Sequence, residues 1–161
     1  TQWHREFKER LGKLSAQDDW MLEWFDSICE RIDRNHFPIG RIHGDFTPWN
    51  CIIEEGRLKV FDWEYSQSNK PVFVDAIHFI LQPIYLKKKP KIREIRKRLR
   101  ILENYFVAIG CEQYRTEILI SIYLLEEYLF YGLRSDFPDK RALLLMKRWK
   151  QTLQEIKKGQ L

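Results

Sequence analysis

Cysteine is scarce in this sequence. The three present, Cys29, Cys51 and Cys111, are odd in number and show no CxxC spacing, which argues against a disulfide framework and for a reducing, cytoplasmic setting. Glycine is limited too: seven residues, at positions 12, 40, 44, 56, 110, 132 and 159, with no G-x-G pair. Neither a G-x-G-x-x-G loop nor a Walker A loop can be built from them. No long hydrophobic run exists. The most apolar stretch, residues 118–125, is interrupted by Ser121 and stopped by Glu126 and Glu127, well short of the ~20 residues that cross a bilayer. The opening Thr1-Gln2-Trp3-His4 has neither an initiator Met nor an apolar signal core, so the natural start is expected upstream. Internal repeats and low-complexity linkers are absent, and residues 1–161 read as one unit.

What is present is enough for a core. Of 161 residues, 44% are hydrophobic and 14% aromatic, too apolar for a disordered segment. Trp3, Phe7 and Leu11 recur every four residues and predict a first helix over 2–14. Ser15 followed by Asp18 predicts a capping box opening a second, which buries Trp20, Trp24, Phe25 and Ile28 along with Cys29 and Ile32. From Arg41 the period shortens. Residues 41–43, 51–54 and 58–61 read as short strands around the turn Glu55-Gly56-Arg57, a small β-hairpin. Helical spacing returns over 72–81, 92–109, 116–133 and 138–157, with breaks at 83–90 and 132–139. The expected fold is mainly α with one small β-hairpin.

Charge is unevenly placed. Residues 87–100 hold nine basic side chains and one acid, Glu94. Either this is a patch for nucleic acid, anionic lipid or phosphate, or it is a solvated helix face above a buried stripe of Ile92, Ile95, Leu99 and Leu102. The second reading is the commoner one for such a run.

Chemistry concentrates in the strand region. There His43-Gly44-Asp45-Phe46-Thr47-Pro48-Trp49-Asn50 is followed, twelve residues after Asn50, by Asp62-Trp63-Glu64 at the end of an apolar strand. Phosphoryl transfer from a nucleotide needs a carboxylate to accept or orient the hydroxyl proton and oxygen ligands to hold Mg²⁺. Asp45, Asn50 and Asp62 supply those types. An amide with a carboxylate suits a hard cation, and the lack of a Cys/His cluster disfavours zinc.

This pattern resembles the catalytic loop and metal motif of aminoglycoside phosphotransferases and choline kinases, relatives of the protein kinases, in which the loop reads His-Gly-Asp-x-x-x-x-Asn. The resemblance implies a kinase-like C-terminal lobe, α+β in the full protein, with ATP and Mg²⁺ as cofactors. It further implies that Asp45 is the catalytic base, that Asn50 and Asp62 are metal ligands, and that Ile52 floors the adenine. Asp75, in Phe73-Val74-Asp75-Ala76, would brace the loop through its backbone, and His43 would support it without moving protons. Nothing before His43 resembles the family's β-rich nucleotide lobe with its phosphate-pairing Lys, so that N-terminal lobe is expected to be missing here. Lys59 and Lys70 are not candidates to replace it.

In such kinases the later helices shape the acceptor pocket. Glu126, Glu127, Tyr128, Tyr131, Asp136 and Trp149 are the candidates, Glu126, Glu127 and Tyr131 foremost, each with an ordinary alternative as solvated face or core. A sugar or other small alcohol is the preferred acceptor, with aminoglycoside or choline-like molecules in the same class; nucleic acid is not expected. Two other functions compete: a non-catalytic module binding an anionic surface through the basic helix, and a hydrolase pairing Asp45 with Asp62 as glycosidases do, which leaves Asn50 unexplained. Cys51 reads as an inert thiol.

Overall fold

The computed structural model describes residues 2–14, 19–32, 37–134 and 140–159. Helix α1 (Gln2–Leu14) buries Trp3, Phe7 and Leu11 as one stripe. It packs on α2 (Asp19–Cys29), which buries Met21, Trp24, Phe25, Ile28 and Cys29; the Phe7 and Phe25 rings stack at 4.3 Å. Ile32 is buried as expected, whereas Trp20 is half-buried with the Lys157 ammonium 5.5 Å from its ring centroid. The expected capping box at Ser15 and Asp18 lies outside the described residues.

Four strands follow: β1 (Ile39–Ile42), β2 (Cys51–Glu54), β3 (Arg57–Val60) and β4 (Gln67–Pro71). They form two separate antiparallel pairs, β1 with β4 and β2 with β3. The second pair is the expected hairpin, in register from Cys51↔Val60 to Glu54↔Arg57. Its turn places Glu55 at φ 50 and Gly56 at φ 72, the two left-handed residues that a tight hairpin turn requires. The first pair departs from expectation. Gln67-Ser68-Asn69-Lys70-Pro71 has no apolar alternation and is poor in strand-forming residues, so β4 exists through its partner β1 and through the buried Lys70. The loop at residues 43–50 therefore lies between two small sheets and not within one hairpin.

Helix α3 (Phe73–Tyr85) runs past its expected end and contains Pro83. Its C-terminal carbonyls find a partner far along the chain: the Arg148 guanidinium donates to the carbonyls of Tyr85 and Lys87, where a cation is favoured by the helix dipole. The expected helix over 92–109 is divided into α4 (Ile92–Leu99), a tight turn at Arg100–Leu102 and α5 (Glu103–Ala108). Apolar positions keep three- and four-residue spacing across that break, so periodicity could not reveal it.

Helix α6 (Thr116–Gly132) is buried at every position from Glu117 to Glu127, as befits a helix enclosed on all sides. Helix α7 (Lys140–Lys158) covers it with Ala142, Leu145, Trp149 and Leu153. At Gly132 an added methyl would sit 2.8 Å from Leu14, so the end of α6 is tight against α1. No helix among the described residues is long and apolar enough to cross a membrane.

Four of the nine cations of the basic segment pair with acids of the chain. Lys88 and Arg98 pair with Glu94, Lys89 with Glu155 and Arg96 with Glu117, while Ile95 and Leu99 beneath are buried. The basic last turn of α4 also suits its own dipole.

Candidate active site

Burial of α6 from Glu117 to Glu127 creates a problem at its two consecutive glutamates. Glu126 and Glu127 are each only 6% exposed, and a buried carboxylate must be paired. Consecutive helical residues point about 100° apart, so the two find different partners. Glu126 accepts from Trp3 Nε1 at 2.7 Å and from Lys70 Nζ at 2.5 Å, with Arg10 at 3.9 Å. Burial pulls the Lys70 pKa down against the attraction of Glu126. This pair joins α1, β4 and α6 into the framework.

Glu127 turns the other way. Its Oε1 lies 3.1 Å from His78 Nδ1, and His78 Nε2 lies 3.2 Å from Asp45 Oδ1. An imidazole is thus held between the motif aspartate and a buried glutamate, with Tyr123 Oη 3.4 Å from Nδ1. Burial alone would push the His78 pKa down; the Glu127 charge, the hydrogen bonds to both carboxylates and the Asp45 charge together raise it to about 10. At neutral pH the group is an imidazolium donating through both nitrogens.

The other oxygen of Asp45 is also held. Asn50 Nδ2 donates to Asp45 Oδ2 and to the Asp45 carbonyl, each at 2.9 Å. Two acceptors on Nδ2 fix the amide plane and turn Oδ1 of Asn50 away from Asp45. Asn50 in turn accepts at its carbonyl from Phe61 N–H at 2.9 Å, one rung beyond the β2–β3 ladder, which brings Asp62 to the base of the hairpin beside it. Asp62 is exposed and takes a left-handed conformation, φ 62 and ψ 59, uncommon outside glycine and tolerated by Asp.

The loop backbone is pinned from α3. The Asp75 carboxylate accepts from His43 N–H at 2.6 Å and Gly44 N–H at 3.1 Å; burial raises its pKa while these bonds oppose the rise. Gly44 has φ +87, and a Cβ there would collide with the Tyr65 carbonyl, so only glycine fits. His43 Nδ1 accepts from Asp45 N–H at 3.2 Å, leaving Nε2–H to donate to Phe61 O at 2.6 Å. Both ring nitrogens are thereby engaged in holding the loop to the strand end before Asp62.

Asp45 opens onto two cavities. The larger, about 250 Å³, has Gln82, Tyr131 and Arg141 as its other polar lining and Trp49, Leu86, Ala142 and Leu145 as its apolar wall. A smaller one of about 70 Å³ reaches Tyr65, His78, Glu127, Phe130 and Arg134, where Arg134 lies 4.8 Å from the Tyr65 ring centroid.

The sequence candidates are therefore partly gathered. His43, Asp45, Asn50, Asp62 and Asp75 form one constellation; Glu127 joins through His78, and Tyr131 lines the larger cavity. Trp149 is fully buried against Tyr85 and Tyr131, Tyr128 packs partly buried against the core, and Asp136 lies outside the described residues. Ile52 is 46% exposed on the hairpin, with Ile53, at 79%, and Leu58 exposed on its opposite face; Trp49, Phe61 and Trp63 are exposed as well. Lys59 pairs with Glu54 and Lys70 with Glu126. Cys51 is half-buried, and burial raises its pKa.

Two residues escaped the sequence reading, His78 and Gln82. Their signal was available: in the apolar run of α3, Asp75, His78 and Gln82 recur at three- and four-residue intervals, which puts them on one face.

Among the described residues no group of three or more His, Cys, Asp or Glu side chains could hold a metal ion. The pair Asn50 and Asp62 still fits Mg²⁺. This ion takes one or two protein oxygens together with phosphates and water, and Asn50 Oδ1 and the exposed Asp62 carboxylate are the oxygens that could hold it.

Part of the chain is similar to known proteins. Residues 2–81, about half of the chain, match the family model described as Phosphotransferase enzyme family. Over 81 residues, 50% of this chain, the sequence is 32% identical to Protein LicA of Haemophilus influenzae, and the match spans 26% of that protein's length. No solved structure matches the chain significantly.

Proposed function

Given that the chain belongs to the phosphotransferase enzyme family, we propose that it is the catalytic-lobe portion of a kinase that moves the γ-phosphoryl group of ATP to an alcohol of a small molecule. The observation that carries the reading is the state of Asp45. Its carboxylate is oriented from both sides, by Asn50 on Oδ2 and His78 on Oδ1, at the mouth of a cavity large enough for a small molecule.

In this reading Asp45 accepts the proton of the acceptor hydroxyl as the oxygen attacks phosphorus, or orients that hydroxyl for attack. Fixing the carboxylate in advance removes an entropic cost from the reaction. The His78 imidazolium holds Asp45 in place without contacting the acceptor proton. Asn50 and Asp62 would hold Mg²⁺, which when bound neutralises charge on the transferring phosphates. His43 and Asp75 hold the loop so that these side chains converge.

The apolar surface of the β2–β3 hairpin supports a further part of the proposal. Trp49, Phe61 and Trp63, next in sequence to the metal pair, and Ile52, Ile53 and Leu58 on the hairpin are all exposed, an amount of large apolar surface that covering would relieve. A nucleotide lobe outside this chain would cover it, with Ile52 under the base. The hydrolase alternative gives no role to Asn50, whose amide is fixed on Asp45. The basic-surface alternative is weakened by the four cations of the segment that pair with the chain's own acids.

The test is ADP formation by the full-length protein with MgATP and small alcohols. Asp45→Asn and Asp62→Ala should each abolish transfer while circular dichroism stays unchanged, and EDTA should stop the wild type. Transfer that survives either substitution would overturn the assignment.

A further inference from the structure

The ion pairs of the basic segment leave a remainder with its own geometry. Of the cations in residues 87–100, Lys87, Lys91, Arg93, Lys97 and Arg100 are all exposed and have no acid within ion-pair distance among the described residues. On α4 they are ordered. Ile95 and Leu99 face the core, so at about 100° per residue Arg93 and Lys97 point outward, and Arg100 carries the three- and four-residue spacing into the tight turn that follows. Glu94 pairs with Arg98 on one flank of this stripe and Arg96 reaches Glu117 from the other, which leaves the outward face of α4 cationic throughout.

The stability of the helix does not account for that face. Lys91 and Arg93 stand at the start of α4, where the dipole disfavours a cation. Arg93 and Lys97 are like charges four residues apart, an arrangement that repels. Both costs are relieved by an anionic partner. Exposed apolar side chains beside the stripe say which kind. Ile101, next to Arg100 and four residues after Lys97, is 75% exposed, and Val107 on α5 is 58% exposed. A nucleic acid would meet the cations and leave these side chains in water. A bilayer with anionic headgroups takes both, the cations at the phosphates and the aliphatic groups at the acyl boundary beneath them. Roughly four to eight Lys and Arg make a cluster of the size that such a surface holds, and five are free here. The nearest exposed acid in the chain, Glu103, comes after Ile101 and interrupts none of the stripe. No helix among the described residues is long and apolar enough to cross the membrane, so the contact is peripheral.

We propose that the outward face of α4, with the turn after it, is a docking surface for an anionic lipid bilayer. None of its residues lines either cavity at Asp45, so this surface adds to the phosphotransferase reading and does not depend on it.

The experiment is co-sedimentation of the full-length protein with vesicles of phosphatidylcholine alone and of phosphatidylcholine with about one third phosphatidylglycerol. The anionic vesicles should carry the protein down and the neutral ones should not. Raising salt from about 0.1 M to about 1 M, which shortens the screening length from about 10 Å to about 3 Å, should release most of it. The triple variant Arg93→Gln, Lys97→Gln and Arg100→Gln should partition about a hundredfold more weakly, since each cation near such a surface is worth about fivefold. Arg93→Lys with Arg100→Lys, which keeps the charge, should bind as the wild type does. Ile101→Ser with Val107→Ser should weaken partition about tenfold and leave its salt dependence unchanged. These positions are exposed, so the melting temperatures should hold, and Asp45→Asn should bind vesicles normally whether or not it transfers phosphate. Equal binding to neutral vesicles, binding to neither kind, or undiminished binding in the triple variant would each overturn the proposal. A triple variant that loses binding while the serine pair keeps it in full would mean a surface that reads charge alone, as nucleic acid requires, and would overturn the assignment to a bilayer.

Discussion

Substituting His78 by glutamine leaves a hydrogen-bonding side chain between Asp45 and Glu127 and removes the positive charge. In the folded protein the His78 pKa is raised from 6.5 to about 10, so folding and proton binding reinforce each other. The stability this contributes is fully present below pH 6.5 and is lost as pH rises through about 10. Each pH unit across that interval is worth about 1.4 kcal/mol, which bounds the linked stabilisation at about 5 kcal/mol. Removing one partner of a buried ion pair costs about 3–5 kcal/mol, which is the same range. Glutamine returns one or two hydrogen bonds at about 1 kcal/mol each, and the expected destabilisation is therefore about 2–4 kcal/mol at pH 6.

The assay is urea unfolding of wild type and His78→Gln at pH 6, 7.5 and 9. Subtracting the two curves cancels every other titrating group. The gap should shrink by about 3 kcal/mol from pH 6 to pH 9 and close near the upper end, because the wild type then gives up its proton advantage. A gap that stays constant across this range would mean that His78 is neutral, and the argument that an imidazolium fixes Asp45 would fall with it.

Other substitutions test the loop and framework. Gly44→Ala must place a Cβ against the Tyr65 carbonyl at φ +87; about 1–3 kcal/mol of strain is expected, read as a lower melting temperature together with loss of transfer. Asp75→Ala strands the amides of His43 and Gly44 and should cost at least about 1–3 kcal/mol, with kcat falling more than KM rises because the loop and not the pocket is displaced. Lys70→Met leaves Glu126 buried without its closest cation and should destabilise by about 3–5 kcal/mol in denaturant unfolding, while Lys70→Met with Glu126→Leu should recover most of that.

The sequence carried the helices well wherever one face was apolar, as in α1 with Trp3, Phe7 and Leu11. It carried the loop as well, because His43, Gly44, Asp45 and Asn50 act through short local contacts that fixed spacing can encode. It failed where an element owes its conformation to a distant partner. Strand β4 has a polar sequence and is made by β1 and Glu126, and α3 passes Pro83 with Arg148, sixty-odd residues on, closing its end. The same reason hid His78: alone in an apolar helix it reads as a packed histidine, and only its meeting with Glu127 and Asp45 gives it a charge.

The two glutamates of α6 show how closely stability and chemistry are joined here. Glu126 and Glu127 are neighbours in sequence, yet one ties α1 and β4 to the core through Lys70 while the other sets the charge of the imidazole that holds Asp45. An isolated Glu127→Gln change would keep the volume and remove the charge, lowering the His78 pKa toward its ordinary value or below, since burial would then act with less opposition. Asp45 would lose its cationic partner near neutral pH, so both stability and transfer should fall together. A helix buried on all sides can carry two carboxylates only if each is fully paired, and in this protein the pairing of one of them is the support of the candidate catalytic group. Loss of activity in variants of this helix is therefore evidence about the site only when the unfolding free energy is measured beside it.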